Sequence, residues 1–408
     1  MIGLNILEEH ENGNIPNNKE IFESFLVANK KINDYKNIIC SVSGGSDSDL
    51  MIDLFTRLDE NNKVTFVFLN TGLEYAATKE HLKYLENKYG IKIVWINAKK
   101  PIPITCKEHG QPFLSKQVSE WIDRLQRHNF MWEDKSFEEL YKEYPNCKTS
   151  LKWWCNEWGE GSKFNISYNK GLKEFMILNP PQFKISQKCC KFAKKDPVHD
   201  FIKENDFDLN CYGVRKAEGG TRSTAYANCF TNNEENEDID EYRPIFWYKE
   251  QTKRVYESHF NIVHSKCYTK YGLTRTGCCG CPYNRDFEEE LKVIEQYEPK
   301  LFKAVNNIFK ESYEYTREYR RFVKENIKYA SKQIENQLSI FDLELDIRVN
   351  VGDEFINGSN GVVGRVIKIC KGEILTEQLK DGKRTYDIKF DLSWLKQLIN
   401  NGTIRKIH

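Results

Sequence analysis

Apolar runs of strand length alternate with stretches of helical period over the first third of the chain. Lys36–Val42 (KNIICSV) is a short apolar run that ends at glycines, and Val64–Asn70 (VTFVFLN) and Ile91–Asn97 (IKIVWIN) repeat the pattern. Between them, Ser46–Leu58 spaces Leu50, Ile52, Leu54, Phe55 and Leu58 as a helix does, and Thr78–Tyr89 reads as a second helix. Unbroken apolar runs suit strands covered on both faces. The order strand, helix, strand, helix, strand therefore predicts an α/β fold, a parallel sheet with helices on both faces. Asp208–Val214 (DLNCYGV) is a further strand candidate, and the acidic stretch Asn232–Asp240 is expected to be a surface loop.

The rest of the chain divides by pattern. Residues 1–30 form an N-terminal extension and 31–285 the main domain. Within that domain, residues from about 100 to 185 are less regular and hold Trp121, Trp132, Trp153, Trp154 and Trp158, which predicts a helical insert that acts as a lid. Residues 286–336 are charged and helical in period, with Leu291, Ile294, Tyr297, Leu301, Ala304 and Ile308 near one stripe. Residues 337–345 read as a linker. From 346 to 408, short β segments with Gly-rich turns (Gly352–Phe355, Gly361–Ile369, Thr385–Phe390) predict a small β-rich domain.

Composition narrows the class. With 39% apolar, 13% aromatic and 30% charged residues, the 408-residue chain has the makings of a globular protein of two or three domains. Its 61 basic and 60 acidic residues leave no global charge that would draw it to nucleic acid. No apolar run reaches the roughly 18 residues of a membrane span. Met1–Lys19 lacks an apolar signal core. A cytoplasmic protein with no membrane partner is expected. Thirteen cysteines are too many to pass over, and their odd number and adjacent pairs do not suit a secreted disulfide scaffold.

The junction after the first strand carries the clearest chemistry. There the chain reads Ser43-Gly44-Gly45-Ser46-Asp47-Ser48 and then enters a helix. Glycines let backbone approach an anion, and successive N–H groups at a helix N-terminus favour negative charge. The three serines add hydroxyl donors. Asp47 is suited to hold Mg²⁺ bridging phosphates. Arg215 and Arg222, beside glycines after a strand, have the planar forks that grip phosphate or sulfate.

SGGSDS resembles the pyrophosphate (PP) loop of the adenine nucleotide α-hydrolase superfamily. Asn70-Thr71-Gly72-Leu73-Glu74 with Thr78, Gly213-Val214-Arg215-Lys216-Ala217-Glu218 with Arg222, and Tyr242-Arg243-Pro244-Ile245 with Trp247 resemble motifs of its phosphoadenosine phosphosulfate (PAPS) reductase branch, in that family's order. The resemblance spans about residues 35–285. It implies a Rossmann-like sheet and an adenine nucleotide, either ATP or adenylated sulfate, bound by Ser43–Ser48, Thr71, Gly72, Gly213 and Arg215. Asp47, Arg215 and Arg222 are the implied catalytic residues.

Cys189-Cys190 and the distant Cys278-x-x-Cys281 supply four thiolates, enough for a [4Fe-4S] cluster or a tetrahedral Zn²⁺. Adenylylsulfate reductases share this layout, so the resemblance implies a cluster on Cys189, Cys190, Cys278 and Cys281. Cys279 has no counterpart there, and Cys155 is a substitute ligand to consider. The sequence departs from a reductase in lacking a C-terminal Glu-Cys-Gly motif; its last cysteine, Cys370, lies in the β-rich region. The leading expectation is therefore cleavage of ATP between the α and β phosphates, coupled to sulfur transfer or nucleic-acid modification, with Mg²⁺ and a sulfur-donor protein. A sulfonucleotide reductase is the alternative. A third reading is a non-catalytic nucleotide-binding protein that docks on DNA or its sliding clamp, because Gln337-Leu338-Ser339-Ile340-Phe341 resembles a clamp-docking peptide.

Overall fold

The computed structural model describes residues 5–219, 225–233, 239–326 and most of 349–407. Two compact units divide at residue 322. The first is built on a six-stranded sheet of β1 (Ile38–Val42), β2 (Val64–Asn70), β3 (Ile93–Asn97), β4 (Leu209–Tyr212), β5 (Phe230–Thr231) and β6 (Asp240–Tyr242), in the order β3-β2-β1-β4-β6-β5. All pairings are parallel except that of β5 with β6. The expected parallel sheet is thus present, with one short antiparallel edge. Asp240, expected in a loop, instead heads β6.

Both faces of the sheet are covered, and this explains the unbroken apolar runs. Ile38, Cys40 and Val42 pack with Leu50, Met51, Leu54 and Phe55 of the Ser46–Leu58 helix. Ile39 and Val67 point to the other face, where Val198, Phe201 and Ile202 pack from the Asp196–Glu204 helix. Successive strand residues face opposite ways, so every position of β1 is buried or nearly so. β1 lies between β2 and β4. The chain leaves β1 in one direction to form β2 and β3, then returns on the other side as β4, which makes the β1–β4 boundary a switch point. In open parallel sheets, ligand crevices form outside the carboxyl ends of strands at such a point.

The region at 100–185 is helical, with helices at Ile102–His109, Lys116–Arg127, Phe137–Glu143, Lys148–Trp154 and Leu172–Leu178. Its tryptophans form its own core: Trp121 stacks on Trp153 at 5.3 Å, and Trp132 and Phe130 meet the Trp154 ring edge-on. Helices at Phe287–Tyr297 and Pro299–Ile308 follow the sheet. The second unit carries the expected β-rich element, an antiparallel sheet of β7 (Glu354–Asn357), β8 (Val363–Cys370), β9 (Glu373–Lys380), β10 (Lys383–Asp391) and β11 (Ile404–Lys406) in the order β10-β9-β8-β7-β11. Phe355, Val366, Ile374, Leu395 and Ile404 are its buried core. Among the described residues no helix is long and apolar enough to cross a membrane. The clamp-like Gln337–Phe341 lies outside the described residues.

Arg243, within the Tyr-Arg-Pro-Ile stretch, is fully buried. Its guanidinium donates to the Tyr212 hydroxyl at 2.7 Å, Glu241 at 3.0 Å, the Asn228 carbonyl at 3.2 Å and the Thr231 hydroxyl. It ties β4, β5 and β6 together at the sheet edge. Removing one partner of a buried charged network strands the others, so Arg243→Leu is expected to cost about 3–5 kcal/mol. The urea midpoint should fall accordingly, and an unchanged midpoint would show that the network carries no stability.

Candidate functional site

The loop Ser43–Ser48 connects the carboxyl end of β1 to the Ser46–Leu58 helix, at the switch point. Gly44 has φ +66°, and a Cβ there would lie 2.7 Å from Thr78 Cγ2. Only glycine fits both constraints. A Cβ on Gly45 would come within 3.0 Å of Thr276 Oγ1. Ser48 Oγ accepts the Ser43 N–H at 2.9 Å and fixes the loop's curl. The Ser46 N–H donates to the Tyr268 hydroxyl at 3.2 Å, so an oxygen already stands where a phosphate oxygen would be received.

Two cations face this loop. Lys253 Nζ donates to Ser46 Oγ at 2.6 Å and to Asp47 at 2.7 Å, and Arg215 Nε reaches both Asp47 oxygens at 3.0 and 3.1 Å. Burial opposes the charge on Asp47, but a hydrogen bond with Glu218 and the Lys253 and Arg215 cations outweigh it and hold its pKa below the usual carboxylate range. The carboxylate expected to take Mg²⁺ is thus bonded to two cations here. Gly213, which precedes Arg215 after β4, passes beside Asp47 Cβ. Arg222 lies outside the described residues.

The helix is anchored from within by two more aspartates. Asp49, fully buried, accepts from His81 Nε2 at 2.8 Å and His264 Nδ1 at 2.7 Å, and Glu257 takes His264 Nε2 at 2.9 Å. Asp53, also fully buried, accepts from Arg57, Tyr89 and Tyr256 at 2.7–3.0 Å.

A second wall comes from the end of β2. Glu74 accepts the N–H groups of Thr71 and Gly72, each at 3.0 Å, and the Thr71 hydroxyl, which shapes the Thr71-Gly72 turn. This wall is stitched to the cysteine loop. Thr71 Oγ1 lies 3.5 Å from Cys278 Sγ, and the Cys279 N–H donates to the Leu73 carbonyl at 2.7 Å. With Thr276 against Gly45, the cysteine loop borders the phosphate loop directly.

The four predicted thiols lie within electrostatic reach of one another. A hydrogen bond with Cys106 raises the Cys189 pKa against the opposing bond from Cys190, and burial and Cys281 add to the rise. The Cys189 thiol and burial raise Cys190, which Lys116 and Lys194 oppose. Burial, then Cys278 and Cys190, push Cys281 up to about 12. The charge of Cys278 raises Lys194 against desolvation. Neighbouring thiols are costly as bare thiolates, and a cationic centre would relieve that cost. Among the described residues no three His, Cys, Asp or Glu side chains are set to hold a single metal ion.

Two other cysteines do not join the set. The Cys155 thiol donates to the Lys135 carbonyl at 3.9 Å, in the insert. Cys279 is fully buried, and burial, followed by the charge of Glu290, raises its pKa. The sequence reading missed Lys253, Cys106, Lys194, Tyr268 and Thr276. Lys194 and Thr276 neighbour the cysteine motifs. Nothing in the sequence singles out Lys253 or Cys106, which reach the site only through folding.

A glycine-containing strand-to-helix loop at the switch point of an open, mainly parallel sheet defines an α/β protein with a Rossmann-like sheet. Residues 37–146 match the family model of the phosphoadenosine phosphosulfate reductase domain. An uncharacterized protein of Methanocaldococcus jannaschii is 24% identical over 282 residues, which cover 68% of this chain and 42% of that relative; the chain thus spans less than half the relative's length. Three solved structures are distantly similar. They are a phosphoadenylyl-sulfate reductase from Candida auris in its phosphate complex (13% identity, 62% of this chain and 87% of that one, TM-score 0.34), the U34-tRNA thiolase NcsA of Methanococcus maripaludis with its [4Fe-4S] cluster (13%, 74% and 80%, 0.29), and the NH3-dependent NAD synthetase of Campylobacter jejuni in complex with nitrate (11%, 77% and 96%, 0.30).

His264 supplies a pH test of the anchored helix. Burial lowers its pKa, but the bonds to Asp49 and Glu257 prevail and raise it to about 9. The stabilisation is fully present below the ordinary histidine value of about 6.5 and is lost as pH rises through the folded value. Unfolding free energies should fall across that window in the native chain and stay flat in His264→Asn; parallel curves would refute the assignment.

Proposed function

We propose that this chain binds ATP with its phosphates on Ser43–Ser48 and cleaves it between the α and β phosphates to activate an acceptor for sulfur transfer. An acceptor oxygen attacks the α-phosphorus, the Pα–O–Pβ bond breaks, and pyrophosphate leaves with the electron pair. A sulfide-level nucleophile from a sulfur-donor protein then displaces AMP from the adenylated acceptor. The observation that supports this reading is the shared border of two loops: Thr276 lies against Gly45 and Cys278 against Thr71, so the Ser43–Ser48 loop and the cysteine loop meet in one place.

The chain's own groups have separable roles. Loop amides and Ser46 receive phosphate oxygens, with the Thr71-Gly72 and Gly213 turns as the flanking walls. Lys253 and Arg215 offset charge on the departing pyrophosphate, and Asp47 holds both cations in position until the nucleotide arrives. Magnesium enters with the nucleotide. Cys189, Cys190, Cys278 and Cys281 would hold a [4Fe-4S] cluster through their thiolates. Such a cluster supplies sulfur and electron handling. The buried, raised-pKa thiol of Cys279 does not favour the reductase alternative, which needs an accessible thiolate.

Anaerobically purified protein given ATP and Mg²⁺ should release AMP and pyrophosphate, most strongly with a sulfur donor and acceptor present. Lys253→Ala and Arg215→Ala should each lower that release by roughly 100-fold. Sulfite formed from adenylated sulfate and thioredoxin would instead support the reductase, and nucleotide binding without turnover under every donor condition would support a sensor. The protein should carry iron and sulfide in equal amounts, and Cys281→Ser should lose both; iron retained in that variant would refute the ligand set.

A further inference from the structure

The insert presents an aromatic and basic face that nothing above uses. Trp158 is 40% exposed, Phe164 43% and Tyr168 60%, whereas the insert's other tryptophans, Trp121, Trp132, Trp153 and Trp154, are buried. Two of the rings pair and are flanked by lysines: Trp158 and Phe164 lie 6.0 Å apart, Lys152 Nζ sits 5.1 Å from the Trp158 ring, and Lys163 Nζ sits 5.8 Å from Phe164, with Tyr168 four residues further along the same loop. Residues 148–173 hold five lysines against two glutamates and no aspartate or arginine, so this segment is basic in a chain that is nearly neutral.

The face is built to be rigid. Asn165, almost fully buried, accepts the Trp158 N–H at 3.0 Å and donates to the Gly159 carbonyl at 2.7 Å, while Asn156 accepts the Ser167 N–H at 3.0 Å. Phe164 rests edge-on against Trp121, which stacks on Trp153. Exposed aromatic rings keep apolar surface in water, which a covering ligand would remove favourably, and a loop stapled by two asparagines holds them outward. The Lys116–Arg127 helix links this face to the thiols. Lys116, at its start, acts on Cys190, and Trp121, five residues later and about 7.5 Å along the axis, supports Phe164.

The geometry points to a docking face for single-stranded nucleic acid, with bases stacked on Trp158, Phe164 and Tyr168 and phosphates met by Lys152 and Lys163. Ring faces flanked by ammonium groups suit this ligand: every base has a π-face, and the backbone is anionic. An acidic protein would satisfy the lysines but leave the rings uncovered. That this strand is the acceptor rests on the sulfur-transfer reading; that it binds does not.

The test uses the full chain and fluorescent oligo-dT and oligo-U of about 20 nucleotides, with a duplex of equal length, read by anisotropy at rising salt. Expected are single-strand binding that weakens with salt, a loss of about tenfold in both Trp158→Ala and Tyr168→Ala, and a salt slope smaller by about one in Lys152→Gln. Circular dichroism confirms that the variants are folded. Preference between oligo-dT and oligo-U assigns DNA or RNA. No binding, equal binding by wild type and ring variants, or a polyglutamate probe that binds in place of the oligonucleotide overturns the proposal. Arg215→Ala should keep oligonucleotide binding while losing pyrophosphate release, so failure of the ATP reading leaves this result interpretable.

Discussion

A helix that offers its N-terminus to an anion cannot also use that end to hold itself in place. The Ser46–Leu58 helix meets this constraint with three aspartates. Asp49 and Asp53 are fully buried and bonded to His81, His264, Arg57, Tyr89 and Tyr256, which fasten the helix to its neighbours along its length. Asp47, nearer the loop, gathers Lys253 and Arg215 where negative charge is expected. Each buried carboxylate is expensive alone and becomes tolerable only because it is fully paired. The loop's shape, the position of its amides and the placement of both cations all follow from this arrangement.

The second organising feature is the cysteine loop. Its peptide bonds and side chains are joined to the end of β2 through Leu73 and Thr71, and Thr276 lies against Gly45. The sheet edge therefore positions the thiols as well as the phosphate loop. Cys189 and Cys190 arrive on a different segment, and Lys99 at the end of β3 meets it through the Phe192 carbonyl. Strand ends thus converge on one region, as expected of loops collected at the carboxyl edge of a parallel sheet.

Much of the sheet was legible because burial on both faces writes itself as unbroken apolar runs. β2 matches Val64–Asn70 and the following helical positions match Ser46–Leu58 residue for residue. β5 and β6, of two and three residues, carry too little pattern to be seen, and Arg243 bonds to a side chain in each. Gly44 of the Ser43–Ser48 loop was legible because a side chain at φ +66° there would run into Thr78. Lys253 was not, because in sequence it is a single lysine on a short charged helix, Glu250–His259, with no motif around it. Cys106 was equally silent; only packing of the Ile102–His109 helix sets it beside Cys189.

The sequence alone determined the alternation of strand and helix, the anion-receiving loop and the two cysteine clusters, since each is a local pattern set by backbone sterics or by neighbouring residue types. Tertiary structure alone decided what stands across from them. Asp47 met two cations, the cysteine loop came to lie on the phosphate loop, and Trp158, Phe164 and Tyr168 were left at the surface while Trp121, Trp153 and Trp154 were buried. Those outcomes depend on contacts between residues far apart in the chain, and local pattern carries no record of which distant partner wins.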